Sequence, residues 1–194
     1  MIVPDRVRLP LSFEVNELAA EAAALPLSMW VPHFNRDVYE GDWTGVALRS
    51  PGGVATQLYP DPAPRLPFAA TEILEACPAY RRALGQFRCP VMAARLLALA
   101  PGAVIKEHKD YRLGWTDGEI RVHVAIATDL GVEFVLDDRA VELALGEPWY
   151  MDLTKRHRAA NRSAVTRIHL VVDCVVDEWL TNLMTLAVAI DSEA

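Results

Sequence analysis

Cysteine is scarce in this chain, long uncharged apolar runs are missing, and basic residues are outnumbered. The three cysteines, Cys77, Cys89 and Cys174, are odd in number and show no CxxC spacing. A disulfide framework and a cysteine zinc site are therefore not expected, and the thiols read as reduced, structural residues of a cytoplasmic protein. No window approaches roughly 18 consecutive apolar residues without a charge, and Met1-Ile2-Val3-Pro4-Asp5-Arg6 lacks a charged segment followed by a long apolar core. Neither a membrane span nor a secretory signal is expected. Lys and Arg total 19 against 26 Asp and Glu, a formal net charge of -7. That balance argues against nucleic acid or an anionic membrane as the main partner. Internal repeats and low-complexity tracts are also absent.

What is present is a hydrophobic fraction of 52% over 194 residues, enough for a sizeable core in one domain spanning 1–194. Residues 1–90 read as a mixed α/β lead-in. Within it, apolar spacing predicts a helix over 13–25, ending before Pro26, a strand over 43–50 closed by Pro51-Gly52-Gly53, a proline-broken loop at 61–64, and one or two short helices over 71–87 around Pro78. Past Cys89-Pro90 short apolar runs recur with turns between them, at 91–100, 104–108, 121–127, 132–136, 140–145, 149–153 and 167–176. Such spacing predicts an antiparallel sandwich or barrel over 91–176. Over 121–127 the alternation places Arg121 and His123 on one face, Val122 and Val124 on the other. A final apolar segment, 178–190, has helical spacing, and the C-terminal part 177–194 is expected to pack as a helix outside the sheets and to offer a face for a homodimer.

The polar residues that interrupt this pattern carry the chemistry. His108-Lys109-Asp110 is followed by His157 and then by Arg167, which opens the run Arg167-Ile168-His169-Leu170-Val171-Val172-Asp173. Two imidazoles and one carboxylate form a metal ligand set that leaves coordination positions open, as in non-haem Fe(II) oxygenases. With five His and thirteen Asp in the chain, an HxD alone decides little; the order of HxD, distal His and strand Arg is the signal. A guanidinium within a Val/Ile/Leu strand is costly unless it has a partner. Arg121 and Arg167 are thus either paired with an internal acid such as Asp173 or Asp152, or suited to an incoming dicarboxylate. His123 is a polar strand residue of the same kind. Arg95 in the 91–100 strand faces either the cavity, where it would meet a substrate carboxylate, or the surface. His169 shares a face with Arg167 in a regular strand. His33 and Trp30 read equally as cover-loop or core residues, and Gly146-Glu147-Pro148-Trp149 as a turn entering a strand.

Taken together, Leu99-Ala100-Pro101-Gly102, Ile105 through Asp110, Arg121-Val122-His123, Gly146 through Asp152, His157 through Asn161 and Arg167 through Asp173 resemble the aspartyl/asparaginyl beta-hydroxylase family of Fe(II)/2-oxoglutarate dioxygenases, in its small bacterial form. The resemblance implies a mainly β double-stranded β-helix, a jelly-roll or cupin-like core with flanking helices. It implies His108 and His157 as iron ligands, joined here by Asp110, an acid that animal members lack. Arg121, His123 and Arg167 match the family's 2-oxoglutarate positions, while a co-substrate Ser of animal members falls at Leu97.

The expected function is hydroxylation of an amino-acid, peptidyl (Asp/Asn-like) or related small-molecule substrate with Fe(II), 2-oxoglutarate and O2, releasing succinate and CO2. The alternative is a non-catalytic cupin-like module that binds a metal or small acid. A zinc hydrolase on the same ligands would have no need of Arg167, and a structural barrel would bind no metal.

Overall fold

The computed structural model describes residues 3–61 and 63–192. Two antiparallel sheets form the frame. In chain order the strands are β1 (Arg6–Arg8), β2 (Val31–Pro32), β3 (Tyr39–Glu40), β4 (Trp43–Pro51), β5 (Phe68–Ala70), β6 (Val91–Leu99), β7 (Val104–His108), β8 (Glu119–Ala127), β9 (Val132–Leu136), β10 (Arg139–Ala140), β11 (Pro148–Met151), β12 (His157–Asn161) and β13 (Arg167–Val175). The larger sheet runs β1-β11-β8-β13-β6-β4-β2, with β5 on the far part of β4; the smaller runs β10-β9-β12-β7-β3. The helices are α1 (Val15–Ala24), α2 (Glu72–Ala76), α3 (Pro78–Leu84) and α4 (Glu178–Asp191). The fold is the expected mainly β jelly roll with flanking helices.

Strand alternation divides the interior into two cores. On β13, Leu170, Val172 and Cys174 join the outer core, where α1 contributes Leu18 and Ala22 and α4 contributes Leu180, Met184 and Ala187. That spacing on α4 is one helical face. Val171 joins the inner core between the sheets, with Trp43, Leu97, Leu99, Ile105, Phe134, Leu136 and Met151. The larger sheet is thus covered on both faces, which is why its central strands read as nearly continuous apolar runs. Their buried polar residues, Arg95, His123, Arg167, His169 and Asp173, all fall on the inner phase.

Local chemistry sets the helix starts. The Asp177 carboxylate accepts from the Leu180 N–H at 2.8 Å and the Thr71 hydroxyl from the Leu74 N–H at 3.3 Å, each satisfying a donor left over in a first turn. Pro78 opens α3 and so separates it from α2.

Several expected bounds shift. The strand expected over 140–145 is reduced to β10, after which the chain crosses from the smaller sheet to a single bridge between Leu145 and Ala125 in the larger one. A segment that changes sheets cannot ladder with either. The lead-in supplies five strands to the two sheets; β1, β2, β3 and β5 are two or three residues long and show no alternation of their own. The 61–64 loop includes residue 62, and the 177–194 segment includes 193–194; these three positions lie outside the described residues. Among the described residues, no helix is long and apolar enough to cross a membrane.

Candidate metal centre and its cavity

His108 closes β7 and His157 opens β12, and the two are direct cross-strand partners. Between this pair and the next, Ala159 opposite Ile105, β7 has one more residue than β12. A bulge of this kind bends the strand and re-aims its side chains. Asp110 lies beyond the end of β7, in coil, so period-two alternation does not place it. Its backbone N–H instead donates to the Leu153 carbonyl at 2.8 Å. One ligand atom from each of His108, Asp110 and His157 lies within 4.8 Å of the others, and the His108 Nε2 to Asp110 Oδ1 distance is 3.8 Å.

Both imidazoles are set for a metal. His108 Nδ1 lies 2.8 Å from the Lys106 carbonyl and His157 Nδ1 lies 3.1 Å from the Lys155 carbonyl. A carbonyl only accepts, so Nδ1 carries the proton in each ring and Nε2 presents its lone pair toward the cluster. Burial also lowers the His157 pKa, against a smaller opposing pull from Asp110, which keeps that lone pair available.

The cluster opens on a cavity of about 400 Å³ between the two sheets. Its walls include Trp43, Leu97, Phe134, Leu153 and Val171, and its polar lining includes Arg95, Arg121, His123, Arg167 and Asp173. The volume and the mix of apolar wall with few polar groups are those of a small-molecule site.

The strand arginines divide into two kinds. Arg121 donates from Nε and Nη2 to Asp173 at 2.6 and 2.9 Å, and from Nη1 to Asp110 Oδ2 at 2.6 Å. Arg95 donates to Asp173 Oδ2 at 2.7 Å and to the Leu58 carbonyl at 3.0 Å. Burial alone would raise the Asp173 carboxyl, but Arg121 and Arg95 overcome it and hold the group below the usual carboxylate range. Asp152 takes no part in this, because its carboxylate caps Thr154. Arg167, 3% exposed, is different. Its Nη2 donates to His169 Nδ1 at 2.8 Å, and among the described residues its Nε finds no partner and no carboxylate forms an ion pair with it. Burial lowers it to about 10, still well above neutral pH, so it remains a cation.

His123 and His169 line up beside it, with their Nδ1 atoms 3.4 Å apart. Since Arg167 can only donate, His169 Nδ1 is an acceptor; among the described residues, the Nε2 atoms of both rings are buried without a protein partner. Burial, then the nearby Arg167 charge, pushes both rings well below the ordinary imidazole value.

Of the remaining residues singled out in the sequence, His33 lines the cavity and stacks on Trp43 with ring centroids 3.5 Å apart. Trp30 packs against the outer core. Gly146 turns with φ +77° into β11, and the Trp149 indole donates to Glu147 at 3.0 Å. Sequence reasoning passed over Trp43, Tyr59, Met92, Glu119 and Phe134 as cavity residues. Their only local signal is hydrophobicity or charge, and what gathers them is the pairing of distant strands.

Comparisons with known proteins bear on the family and the fold. The aspartyl/asparaginyl beta-hydroxylase family profile matches residues 13–176. A protein of Rhizobium meliloti (strain 1021) described as L-proline cis-4-hydroxylase is 27% identical over 168 residues, covering 84% of this chain and 58% of that protein. The chain thus spans little more than half the length of this relative. Similar solved structures include a 2OG-Fe(II) oxygenase family oxidoreductase from Burkholderia pseudomallei, with TM-score 0.56, 18% identity and coverage of 88% of this chain and 85% of that one. A Pseudomonas putida prolyl-4-hydroxylase has TM-score 0.55, 12% identity and coverage of 89% and 93%. At these identities the two structures speak to the fold, and the profile speaks to descent: the chain belongs to the aspartyl/asparaginyl beta-hydroxylase family.

Proposed function

We propose that this protein is an Fe(II)- and 2-oxoglutarate-dependent dioxygenase that hydroxylates an amino acid or a related small molecule. The observation that carries the reading is the combination, on one cavity, of three potential metal donors with preset imidazoles and a buried guanidinium that lacks a carboxylate partner among the described residues. The donor set fits Fe(II): two neutral nitrogens and one carboxylate leave positions open. His108, Asp110 and His157 would hold the metal, which supplies the O2 chemistry that side chains lack.

Arg167 would bind the distal carboxylate of 2-oxoglutarate through charge-assisted hydrogen bonds, with His123 of the cavity lining supplying a polar edge to the same molecule and His169 accepting from Arg167. Leu97, where animal family members carry a Ser, gives that subsite an apolar wall. Arg95 also lines the cavity, but its guanidinium is engaged by Asp173 and the Leu58 carbonyl, so it is not assigned to a substrate carboxylate. The balanced reaction takes one C–H bond, one 2-oxoglutarate and one O2 to one C–OH, one succinate and one CO2. The chain's own contribution is to orient the target carbon, keep the cation of Arg167 dry, and exclude bulk water with the Trp43, Phe134 and Leu153 walls. The Rhizobium meliloti relative is described as acting on L-proline, and the cavity volume suits a free amino acid better than a folded protein segment.

The test is anaerobic addition of 2-oxoglutarate to the Fe(II)-loaded protein, followed by visible absorption. A metal-to-ligand charge-transfer band is expected, absent in His157→Ala and weakened in Arg167→Ala. Tight metal binding without a band would overturn the dioxygenase reading in favour of a binding module or a hydrolase. Succinate release across a panel of free L-amino acids, proline included, and short peptides containing Asp or Asn would then identify the substrate.

A further inference from the structure

We infer that Arg121 is a positioning residue that fixes the carboxylate of Asp110, and that Asp173 holds Arg121 for this purpose; the inference rests on the metal site proposed above. Family resemblance would place Arg121 on 2-oxoglutarate, but three of its five N–H groups are directed at carboxylates of this chain.

Sheet register builds the arrangement. Arg121 on β8 and Asp173 on β13 are direct cross-strand partners, and Arg95 on β6 is opposite Val171, one inward-facing position from Asp173. The fully buried Asp173 carboxylate therefore sits between two guanidinium groups. A chain of contacts runs from the Leu58 carbonyl through Arg95, Asp173 and Arg121 to Asp110.

Two consequences follow at the metal site. Nη1 of Arg121 occupies Asp110 Oδ2 at 2.6 Å, while Oδ1 is the oxygen 3.8 Å from His108 Nε2. One oxygen is thus engaged and the other is left for a metal, which selects one-oxygen ligation. Asp110 lies in coil rather than in β7, so the Arg121 fork supplies the rigidity that a strand would otherwise give. Charge balance separates the roles further. Arg95, Asp173, Arg121 and Asp110 sum to zero, whereas Arg167 has no acid partner among the described residues. An incoming dicarboxylate meets net positive charge at Arg167 and none along the Arg121 chain.

The experiment compares the full-length protein with Arg121→Gln and Arg121→Lys, using Co(II) as the metal probe. Co(II) affinity is measured by calorimetry and the ligand field by the visible d–d spectrum. The 2-oxoglutarate affinity is then measured at saturating Co(II). Arg121→Gln is expected to weaken Co(II) binding about 10- to 100-fold, the usual effect of losing a residue that orients a metal ligand. Its d–d spectrum is expected to change, while 2-oxoglutarate affinity at saturating metal shifts by less than about threefold. Arg121→Lys keeps the charge but cannot grip two carboxylates at once, so it is expected to lose less Co(II) affinity than the Gln variant. If Arg121→Gln fails to fold, since it leaves Asp173 with Arg95 alone, Arg121→Lys decides on the same readout. Wild-type Co(II) affinity in the folded variants would overturn the inference, whatever happens to 2-oxoglutarate. Failure of the unsubstituted protein to bind Co(II), or to give the Fe(II) charge-transfer band, would instead strike the dioxygenase reading and take this inference with it.

Discussion

At the scale of single residues, the cavity is governed by which buried groups have partners. His33 shows the energetic side of this. Burial, with Arg95 and Arg121 nearby, pushes its pKa from the ordinary 6.5 down to about 3. The unfolded chain therefore takes up a proton first as the pH falls. The stability that depends on neutral His33 is complete above about pH 6.5 and is lost progressively down to about pH 3. From this shift, His33 in the wild type should cost about 2 kcal/mol at pH 5 relative to pH 7. His33→Phe retains an aromatic ring against Trp43 and removes the titration. Urea unfolding at the two pH values should show a smaller acid loss in the variant by that amount; equal losses would mean that His33 is accessible to protons in the folded state. His123 and His169 are shifted in the same direction, so the difference between the proteins, and not the total slope, is the diagnostic quantity.

At the scale of elements, the site depends on close strand approach and on one bulge. β4 passes β6 at Gly45, where an added Cβ would meet the Leu96 carbonyl oxygen and Leu97 Cδ2, each at 2.8 Å. The first is backbone and cannot yield without displacing β6, the strand that carries Arg95 and Leu97. Gly45→Ala is therefore expected to destabilise by about 1–3 kcal/mol, the range for overpacking a filled core. It should also disturb the cavity wall. Equilibrium urea unfolding measures the first effect, and 2-oxoglutarate affinity of the metal-loaded protein the second. The extra residue in β7 has the opposite character: it breaks the ladder beside His108 and lets the Lys106 carbonyl reach the imidazole of the same strand.

At the scale of the molecule, the helices and the smaller sheet share out the two faces of the larger sheet. The helix side forms an apolar core including Leu48, Leu96, Leu170 and Met184. The sheet side is interrupted by the cavity and by buried polar or charged residues, Arg95, His123, Arg167, His169 and Asp173 on the larger sheet and His157 on the smaller. The larger apolar core thus lies on the helix side, and the candidate metal site on the other. Ligands that bind only the folded state should stiffen that second side measurably. With Co(II) and 2-oxoglutarate each in about 100-fold excess over its dissociation constant, each contributes about 2.7 kcal/mol by mass action. A thermal-melt series with and without EDTA should show an upward shift on adding Co(II), a further one on adding 2-oxoglutarate, and neither in His157→Ala. A shift that survives His157→Ala would place the metal elsewhere.

Much of this was open to reading from the residues. Period-two alternation determines which side chains of β8 and β13 share a face, so Arg121 with His123, and Arg167 with His169, were legible as pairs. The runs over 104–108 and 132–136 become β7 and β9 without change, because their ends are marked by turn residues. Helical spacing over 178–190 marks α4. Tertiary structure alone decided which arginines would have their charge balanced by an internal acid. Asp173, Arg121, Arg95 and Arg167 are similar in local sequence, and only the register of β8 and β6 against β13 brings the first three together and leaves the fourth without a carboxylate. It also decided the place of Asp110, held by Leu153 and Arg121 rather than by the strand of His108, and the walls given by His33, Trp43 and Phe134. Local chemistry acts over a few residues along the chain and is written there. Charge pairing and cavity walls act across strands tens of residues apart, and their partners are set by the way the two sheets close.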